Sequence, residues 1–444
     1  MKYQAGREIG MITPFLFLLL SWQGASAREE RNEPLKTVSE GAVSIEDKGP
    51  YYFVTLDYTS GISPRQMGEE YGRCILKIEP DYEAIVGYYM FEIATLEGLW
   101  GNTIPQRLRI IRPQLQPFFR DELDGIASVM KGSWSWNREE IVYCFNMIPD
   151  LFRANQCSAF GCWGEASSNG KNIVYRTLDW FGGLLAHELP AIQCITRIRY
   201  PGRTLYLVGA LGHLACITGI NLSTGIMGGI LDADVSSAAY DPTQCRSYSF
   251  DLREQLERST SMAEIASEMT KTENKYAFSH LILLADARET RILENNISGT
   301  GTRPARAVRY DTSVINPGVI WGYRNMVAAV NCFMLMGQTD NFATGKNAKI
   351  NQQRWSLLLE KLHEKLSGGE NKLTPENVRG IMCSFHGTSP GSLLLNKGDL
   401  YNLQTQQMML FIPAENYLKV YFKPKEGTNQ PDPSAFFYTI ALVP

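Results

Sequence analysis

The sequence predicts an α+β protein, in which helices and strands occur in separate runs along the chain. Between about Ser63 and Ile148, apolar residues recur at spacings of three and four, which is typical of amphipathic helices. After Cys157 the pattern changes to short apolar runs separated by turn residues, which predicts strands and hairpins. Because the two patterns do not alternate strictly, they indicate stacked layers of the α+β type.

Each predicted element has its own local signal. In the first half, helices are predicted over residues 64–96, 120–127 and 138–148 from their apolar spacing. In the second half, turns such as Pro201-Gly202-Arg203 separate runs that are rich in β-branched and aromatic residues. The predicted strands there are 195–200, 204–210, 215–220, 226–232, 280–285, 290–295, 400–405, 407–412 and 417–422, and the predicted helices are 251–258, 261–271, 352–366 and 374–383.

The first 27 residues have the pattern of a secretory signal. Lys2 and Arg7 precede an apolar stretch from Met11 to Trp22, and Ala25-Ser26-Ala27 has the small residues of a cleavage site. Because the apolar stretch is too short for a membrane span, cleavage after export is expected. The sequence therefore predicts a signal peptide over 1–27 and a periplasmic, secreted or lumenal protein, which would meet a membrane only through its substrate.

Composition excludes several classes of function. The net charge is -3 and the basic residues are scattered, so nucleic acid is not expected as a partner. Nine cysteines in an exported chain leave at least one without an intramolecular disulfide partner. The sequence has no Cys-x-x-Cys or His-x-x-x-His pair, so we expect no metal site, and we expect no cofactor.

Cys157 is the first candidate for an active-site residue. It precedes the turn signal Asn169-Gly170, and a run containing Arg176 and Asp179 follows, so a hairpin would bring the thiol, the guanidinium and the carboxylate together. Side chains alternate along a strand, so residues three apart cannot share a face, and Arg176 or Asp179 must lie at a strand end. A nearby guanidinium favours the nucleophilic thiolate. The alternative is a structural ion pair beside a buried, inert thiol.

These motifs resemble a known group of enzymes. Cys157-Ser158 followed by Arg176-Thr-Leu-Asp179-Trp is similar to the cysteine N-terminal nucleophile (Ntn) hydrolases, which include acid ceramidase, bile-salt hydrolase and penicillin V acylase. The layout is most similar to the isopenicillin-N acyltransferase-like family. Ala328-Ala-Val-Asn331 resembles its asparagine motif, and Gln353-Arg354-Trp355 resembles its later arginine.

The resemblance implies a four-layer αββα sandwich over 157–444, preceded by a mainly helical pro-segment over 28–156. It implies self-cleavage between Gln156 and Cys157, which leaves two chains that stay together as an α/β heterodimer. The freed α-amino group has a pKa near 7.7 to 8.0, so it can act as the base for its own side chain.

The resemblance also implies a role for each residue. Cys157 attacks the amide carbonyl, Asp179 orients the α-amine, and Arg176 supports the thiolate or the substrate. Asn331 donates to the oxyanion, and Arg354 holds the Asn331 region or a carboxylate. These residues would together form an acyl-enzyme and release the amine.

Asp232 departs from the family pattern. The second oxyanion donor is expected at the end of the predicted strand 226–232, where relatives often carry asparagine and this chain has Asp232. A carboxylate beside an oxyanion is unfavourable, although the backbone N–H at this position could still donate.

Three functions stay open at the sequence level. The first is a self-processing hydrolase or acyltransferase of non-peptide linear amides, lipid-like amides among them. The second is an unprocessed hydrolase that pairs Cys157 with His213, His280 or His386. The third is a catalytically inactive binding protein of the same fold. For the first, Trp180, Phe181 and the adjoining glycines suggest an apolar acyl pocket.

Overall fold

Two β-sheets lie face to face at the centre of the protein. In the computed structural model they have ten and six strands, in the order β1-β2-β3-β6-β7-β8-β9-β10-β11-β12 and β13-β4-β5-β14-β15-β16. The strands are Lys36–Glu40 (β1), Val43–Asp47 (β2), Tyr52–Asp57 (β3), Cys157–Cys162 (β4), Ile173–Asp179 (β5), Gln193–Tyr200 (β6), Arg203–Ala210 (β7), Thr218–Asn221 (β8), Ile226–Asp232 (β9), His280–Ala285 (β10), Thr290–Asn295 (β11), Arg306–Arg309 (β12), Met326–Ala329 (β13), Thr405–Ile412 (β14), Tyr417–Phe422 (β15) and Phe437–Ala441 (β16).

Twelve α-helices occur in the part of the chain that the structure describes. They are Pro64–Ile78 (α1), Tyr82–Leu96 (α2), Thr103–Ile111 (α3), Pro117–Val129 (α4), Arg138–Asn146 (α5), Ile148–Leu151 (α6), Glu188–Ala191 (α7), Tyr248–Arg258 (α8), Met262–Met269 (α9), Asn341–Thr344 (α10), Ala348–Ser367 (α11) and Pro375–Met382 (α12). The described residues are 34–99, 102–133, 135–152, 157–183, 187–233, 241–297, 306–338, 341–345, 347–367, 372–386, 398–425 and 429–444.

Close contacts hold the two sheets together. A side chain larger than hydrogen at Gly161 of β4 would collide with Thr290 of β11, which shows how closely the sheets approach. On the outer face of the ten-stranded sheet, α8 packs against Gly228 through Leu252 and Leu256. On the outer face of the other sheet, α12 packs against β5. The layers therefore follow the order helix, sheet, sheet, helix, and the α+β prediction is confirmed.

Local sequence explains where several helices begin. Ser63 accepts a hydrogen bond from the backbone N–H of Gln66 at the start of α1, and Pro64 occupies the first helical position. Asn137 forms a capping box with Glu140 at the start of α5. These caps satisfy N–H groups that have no partner inside the helix.

The pro-segment prediction omitted three strands. Residues 36–57 form β1, β2 and β3, and β3 pairs in parallel with β6. This part of the chain therefore belongs to the sandwich and does not simply precede it, although α1 to α6 give residues 64–151 the predicted helical character. The proposed boundary at Gln156 and the signal peptide over 1–27 lie outside the described residues.

Other boundary predictions have mixed outcomes. The strands β9, β10, β11 and β15 begin and end where the sequence predicted them. The strand predicted over 400–405 is wrong, because the chain turns there and β14 begins only at its last residue. The Oδ1 atom of Asn402 accepts a hydrogen bond from the backbone N–H of Gln404, which favours a turn over an extended strand.

Candidate active site

Cys157 is the first residue of β4, and its side chain lies on the face of the six-stranded sheet that packs against the other sheet. Its side chain is 1% exposed, and Leu178 of β5 is its direct antiparallel partner. The predicted hairpin is therefore confirmed, and Asp179 is the last residue of β5, as the argument from side-chain alternation required. The backbone N–H of Cys157 donates to Oδ1 of Asn331 at 2.7 Å. This contact holds the peptide nitrogen that would become the α-amine.

Arg354 connects Asn331 to Asp179. The guanidinium donates to Oδ1 of Asn331 at 2.8 Å and to Oδ2 of Asp179 at 2.9 Å. The side chains of Arg354 and Asp179 are fully buried. A buried planar guanidinium fixes the direction of both partners, so Arg354 holds the asparagine and the carboxylate in one arrangement.

Arg176 lies next to the thiol. One of its terminal nitrogens lies 3.8 Å from Sγ of Cys157 and also donates to the carbonyl of Ile230 in β9. Gly229 makes room for this side chain, because a Cβ atom at that position would lie 2.6 Å from Cδ of Arg176. The buried side chain of Arg176 fits between the sheets because Gly229 has no side chain at this point of close approach.

Burial governs the charge of the site. It raises the pKa of the Cys157 thiol to about 11, although Arg176 opposes the shift. It also raises the pKa of Asp179 to about 6, against the opposing effect of Arg354. At neutral pH the cysteine is therefore a thiol in the uncleaved chain, and Asp179 is mainly a carboxylate. Nucleophilic attack by Cys157 consequently needs a base that removes its proton.

Asn331 uses both ends of its amide. Its Oδ1 accepts hydrogen bonds from Cys157 and Arg354, and its Nδ2 donates to the backbone carbonyl of Asp232 at 2.8 Å. The predicted role of Asn331 as an oxyanion donor would require Nδ2 to turn from this carbonyl to the substrate. The role stays a prediction.

The side chain of Asp232 lies on the face of β9 that is turned away from Arg176. Along β9, Gly229 faces Arg176 of the opposite sheet, whereas Gly228 faces α8. Asp232 is four residues from Gly228, so strand alternation places its side chain on the α8 side and leaves its backbone next to Asn331. The carboxylate of Asp232 therefore does not face the position expected for the oxyanion. Gln156, the other residue of the predicted cleavage site, lies outside the described residues.

The three candidate histidines have partners other than Cys157. His280 is stacked on Tyr248 and lies 2.9 Å from Asn295, while Nδ1 of His386 lies 2.5 Å from Asp399. His213 packs edge-on against an aromatic ring, and burial lowers its pKa to about 4. Within the described residues, the contacts of Cys157 therefore involve Arg176 and Asn331 rather than a histidine.

Sequence reasoning missed Thr405. Its hydroxyl donates to Oδ1 of Asp179 at 2.6 Å, on the opposite side of the carboxylate from Arg354. Thr405 lies at the start of β14, which pairs with β5, so only the sheet pairing brings it to Asp179. Gly229 was also missed, although a Gly-Gly pair inside a predicted strand is a usable signal of close approach.

An apolar pocket is lined by Leu178, the strand partner of Cys157. It has a volume of about 40 Å³, and Trp180 also lines it. Tyr89 and Phe145, which precede the predicted cleavage site, contribute another wall, and His213 and Gln407 are its polar members. Phe181 is stacked on Tyr89. Trp180 therefore lines an apolar pocket, and the binding of an acyl group there stays a prediction.

Neither a metal site nor a membrane-spanning helix occurs in the part of the chain that the structure describes. No group of histidine, cysteine or acidic side chains in that part could hold a metal ion. None of its helices combines the length and apolar character needed to cross a bilayer. All nine cysteines lie in the described ranges, and none of them forms a disulfide.

Comparisons with known proteins give distant likenesses only. No protein-family model and no curated protein matches the sequence. Among solved structures, an N-acylethanolamine-hydrolyzing acid amidase ortholog from Caenorhabditis elegans is 14% identical, with a TM-score of 0.39. The match covers 59% of this chain and 96% of that one.

Two further solved structures resemble the chain. Conjugated bile acid hydrolase from Clostridium perfringens is 10% identical, with a TM-score of 0.35, over 65% of this chain and 97% of that one. Penicillin V acylase from Agrobacterium tumefaciens is 11% identical, with a TM-score of 0.30, over 60% and 84%. These two belong to the group that the sequence motifs resemble. Because the likenesses are distant, the chemistry of the site has to follow from its own residues.

Proposed function

We propose that this protein is an exported, self-processing hydrolase or acyltransferase of non-peptide linear amides, with Cys157 as its N-terminal nucleophile. The observation that carries the proposal is the buried series of contacts from Cys157 through Asn331 and Arg354 to Asp179. This series begins at the backbone nitrogen of the cysteine, which is the atom that self-cleavage would convert into a base.

Self-cleavage begins at the bond before Cys157. Sγ attacks the carbonyl carbon of Gln156, the C–N bond breaks, and the nitrogen of Cys157 takes up the thiol proton. Water then hydrolyses the thioester, which releases the carboxylate of Gln156 and restores the thiol of Cys157 beside the α-amine that the first step freed. Asn331 accepts a hydrogen bond from this nitrogen before cleavage and would hold the amine afterwards.

The free amine supplies the base that the buried thiol lacks. Its pKa near 7.7 to 8.0 suits proton transfer at neutral pH, whereas burial holds the thiol pKa at about 11. The amine takes the proton of Sγ as the sulfur attacks an amide carbonyl, and later gives it to the leaving amine. Arg176 lies close enough to stabilise the negative sulfur. Water completes hydrolysis, and a second amine completes acyl transfer.

The direct test is the mass and N-terminal sequence of the purified protein at neutral and mildly acidic pH. We expect two chains, one of them beginning at Cys157, and we expect Cys157→Ala to stay uncleaved. The N-terminus of the other chain tests the predicted removal of residues 1–27. A wild-type protein that stays whole would contradict self-processing and leave the unprocessed hydrolase or the binding protein.

A test of amide cleavage separates those two alternatives. Loss of amidase activity on substitution of His213, His280 or His386 in an uncleaved protein would support an unprocessed cysteine hydrolase. An uncleaved protein with no amidase activity would support a binding protein. The described contacts of Cys157 favour neither alternative.

A further inference from the structure

Three residues form a row across the six-stranded sheet. Cys157 of β4 pairs with Leu178 of β5, and Leu178 pairs in turn with Gln407 of β14. Direct cross-strand partners have their side chains on the same face of a sheet. Since neighbouring strands lie about 4.8 Å apart, the row places Gln407 roughly 10 Å from the nucleophile, on the same face.

The pocket lies along this row. Leu178 and Gln407 both line it, together with Trp180, Phe145 and other apolar side chains. A buried water needs at least about 10 Å³ of such space, so a pocket of about 40 Å³ has room for a few non-hydrogen atoms. The roughly 10 Å from Cys157 to Gln407 along the row is the span of a short acyl chain whose carbonyl lies at Cys157.

Gln407 lines the pocket and carries a hydrogen-bond acceptor that is not used. The side chain is 2% exposed, and its Nε2 donates to the carbonyl of Gly209 at 2.8 Å. Its Oε1 is buried and accepts no hydrogen bond from any described residue. A buried acceptor without a partner is unfavourable, and a ligand with a donor group would remove this cost.

We infer that the acyl group of the substrate is short and carries one hydrogen-bond donor, a hydroxyl or an N–H, that bonds to Oε1 of Gln407. Gln407 is then a specificity-determining residue. This inference rests on the proposed amidase function. The inferred acyl group differs from a long, wholly apolar acyl chain both in its length and in the group that it places at the far end of the pocket.

The test uses three amides of 7-amino-4-methylcoumarin with the processed protein. The 4-hydroxybutanoyl and pentanoyl groups have the same number of non-hydrogen atoms and differ in the terminal hydroxyl, while dodecanoyl is long. We expect kcat/KM to rank 4-hydroxybutanoyl first and dodecanoyl last. In Gln407→Leu we expect the ratio of 4-hydroxybutanoyl to pentanoyl to fall by about tenfold or more.

Gln193→Leu is the matched control. Gln193 is also a fully buried glutamine whose Oε1 has no partner among the described residues, but it does not line the pocket. The substrate ratio should be unchanged in this variant. If Gln407→Leu does not fold, Gln407→Met offers an unbranched side chain of similar length that lacks the acceptor.

The outcomes separate the inference from the function on which it rests. A protein that releases coumarin from none of the amides would overturn the proposed function and the inference together. A protein that releases coumarin but prefers dodecanoyl would overturn the inference alone. So would a substrate ratio that is the same in the wild type and the Gln407 variants.

Discussion

Asp179 and Arg354 form an ion pair of 2.9 Å in which both side chains are fully buried. Removing one partner of such a pair leaves an uncompensated charge in the interior, whereas an exposed pair contributes little. Since Arg354 also holds the Oδ1 atom of Asn331, the pair fixes the groups next to the nitrogen of Cys157. We therefore expect stability and chemistry to depend on the same contact.

We expect Arg354→Met to prevent self-cleavage and to lower the free energy of unfolding by about 3 to 5 kcal/mol. Arg354→Lys should retain part of the stability and little of the cleavage, because lysine cannot direct two hydrogen bonds from one plane. The measurements are chemical denaturation and the rate at which the Cys157 N-terminus forms. Lys361→Met is a control on the same helix, since Lys361 pairs with Glu364 near the surface. Equal effects at both positions would contradict a special role for Arg354.

The pH dependence of activity should follow Asp179. Its pKa is raised to about 6, so the carboxylate that pairs with Arg354 is lost as the pH falls below that value. We therefore expect kcat/KM to fall more steeply below about pH 6, where loss of this carboxylate adds to the protonation of the α-amine that begins near pH 8. Thr405→Val removes a donor that stabilises the carboxylate, which should move this midpoint up by about one unit. A profile that Thr405→Val leaves unchanged would assign the midpoint to another group.

The same shift has the opposite sign for stability. Because the folded protein holds the proton of Asp179 more tightly than the unfolded chain, its contribution to stability is complete below about pH 4 and is lost as the pH rises through 6. Activity that needs the carboxylate is thus obtained at some cost in stability.

Gly229 and Gly228 provide a matched pair of substitutions. A Cβ atom at Gly229 would lie 2.6 Å from Cδ of Arg176, whereas one at Gly228 would lie 3.1 Å from the nearest atom of Leu252. We expect Gly229→Ala to displace Arg176 and slow cleavage by at least tenfold, the loss caused by about 1.4 kcal/mol in the barrier. Gly228→Ala should change the cleavage rate far less. Similar rates in the two variants would show that Arg176 does not need its present position.

How far the sequence predicts this site depends on how local each contact is. Cys157, Arg176 and Asp179 belong to one hairpin, so their pairing follows from turn residues and strand alternation over about 20 positions. Thr405 reaches Asp179 only through the pairing of β14 with β5, which no local pattern specifies. The motif resemblance brought in Asn331 and Arg354 for the same reason, because geometry alone could not place them.

Non-local pairing also explains the missed strands. β1 is mostly exposed along its length and lacks a clear apolar alternation. β3 is defined by its parallel partner β6, which follows more than 130 residues later in the chain. Over residues 400–404 a strand was predicted where none exists. Their side chains suit a strand, but the turn at Asn402 prevents one.

Asp150 should make stability depend on pH. This carboxyl accepts hydrogen bonds from Ser247 and from the backbone N–H of Tyr248 at the start of α8, and burial raises its pKa to about 7. Its contribution to stability is complete below about pH 4 and is lost as the pH rises through 7. We therefore expect the Tm of the wild type to fall between pH 5 and 8 more than that of Asp150→Asn. Parallel Tm curves for the two proteins would contradict the assignment.

The last prediction concerns the two chains that cleavage would produce. Glu122 of α4 forms a bidentate ion pair with Arg253 of α8, at 2.6 and 2.9 Å, and both side chains are fully buried. The pairing of β3 with β6 joins the same two parts of the molecule. We expect the cleaved chains to elute together in size-exclusion chromatography as one α/β heterodimer.

Arg253→Met should weaken this association strongly, since it leaves Glu122 charged and buried, at a cost of about 3 to 5 kcal/mol. Arg199→Met is the control, because its pair with Asp57 also joins the two chains but is partly exposed and should contribute less than about 1 kcal/mol. If Arg253→Met does not fold, Glu122→Gln keeps the shape of the side chain and removes its charge. Separation of the wild-type chains in native buffer would contradict the heterodimer. Because Tyr89 and Phe145 line the pocket, separation would also remove one wall of the substrate site.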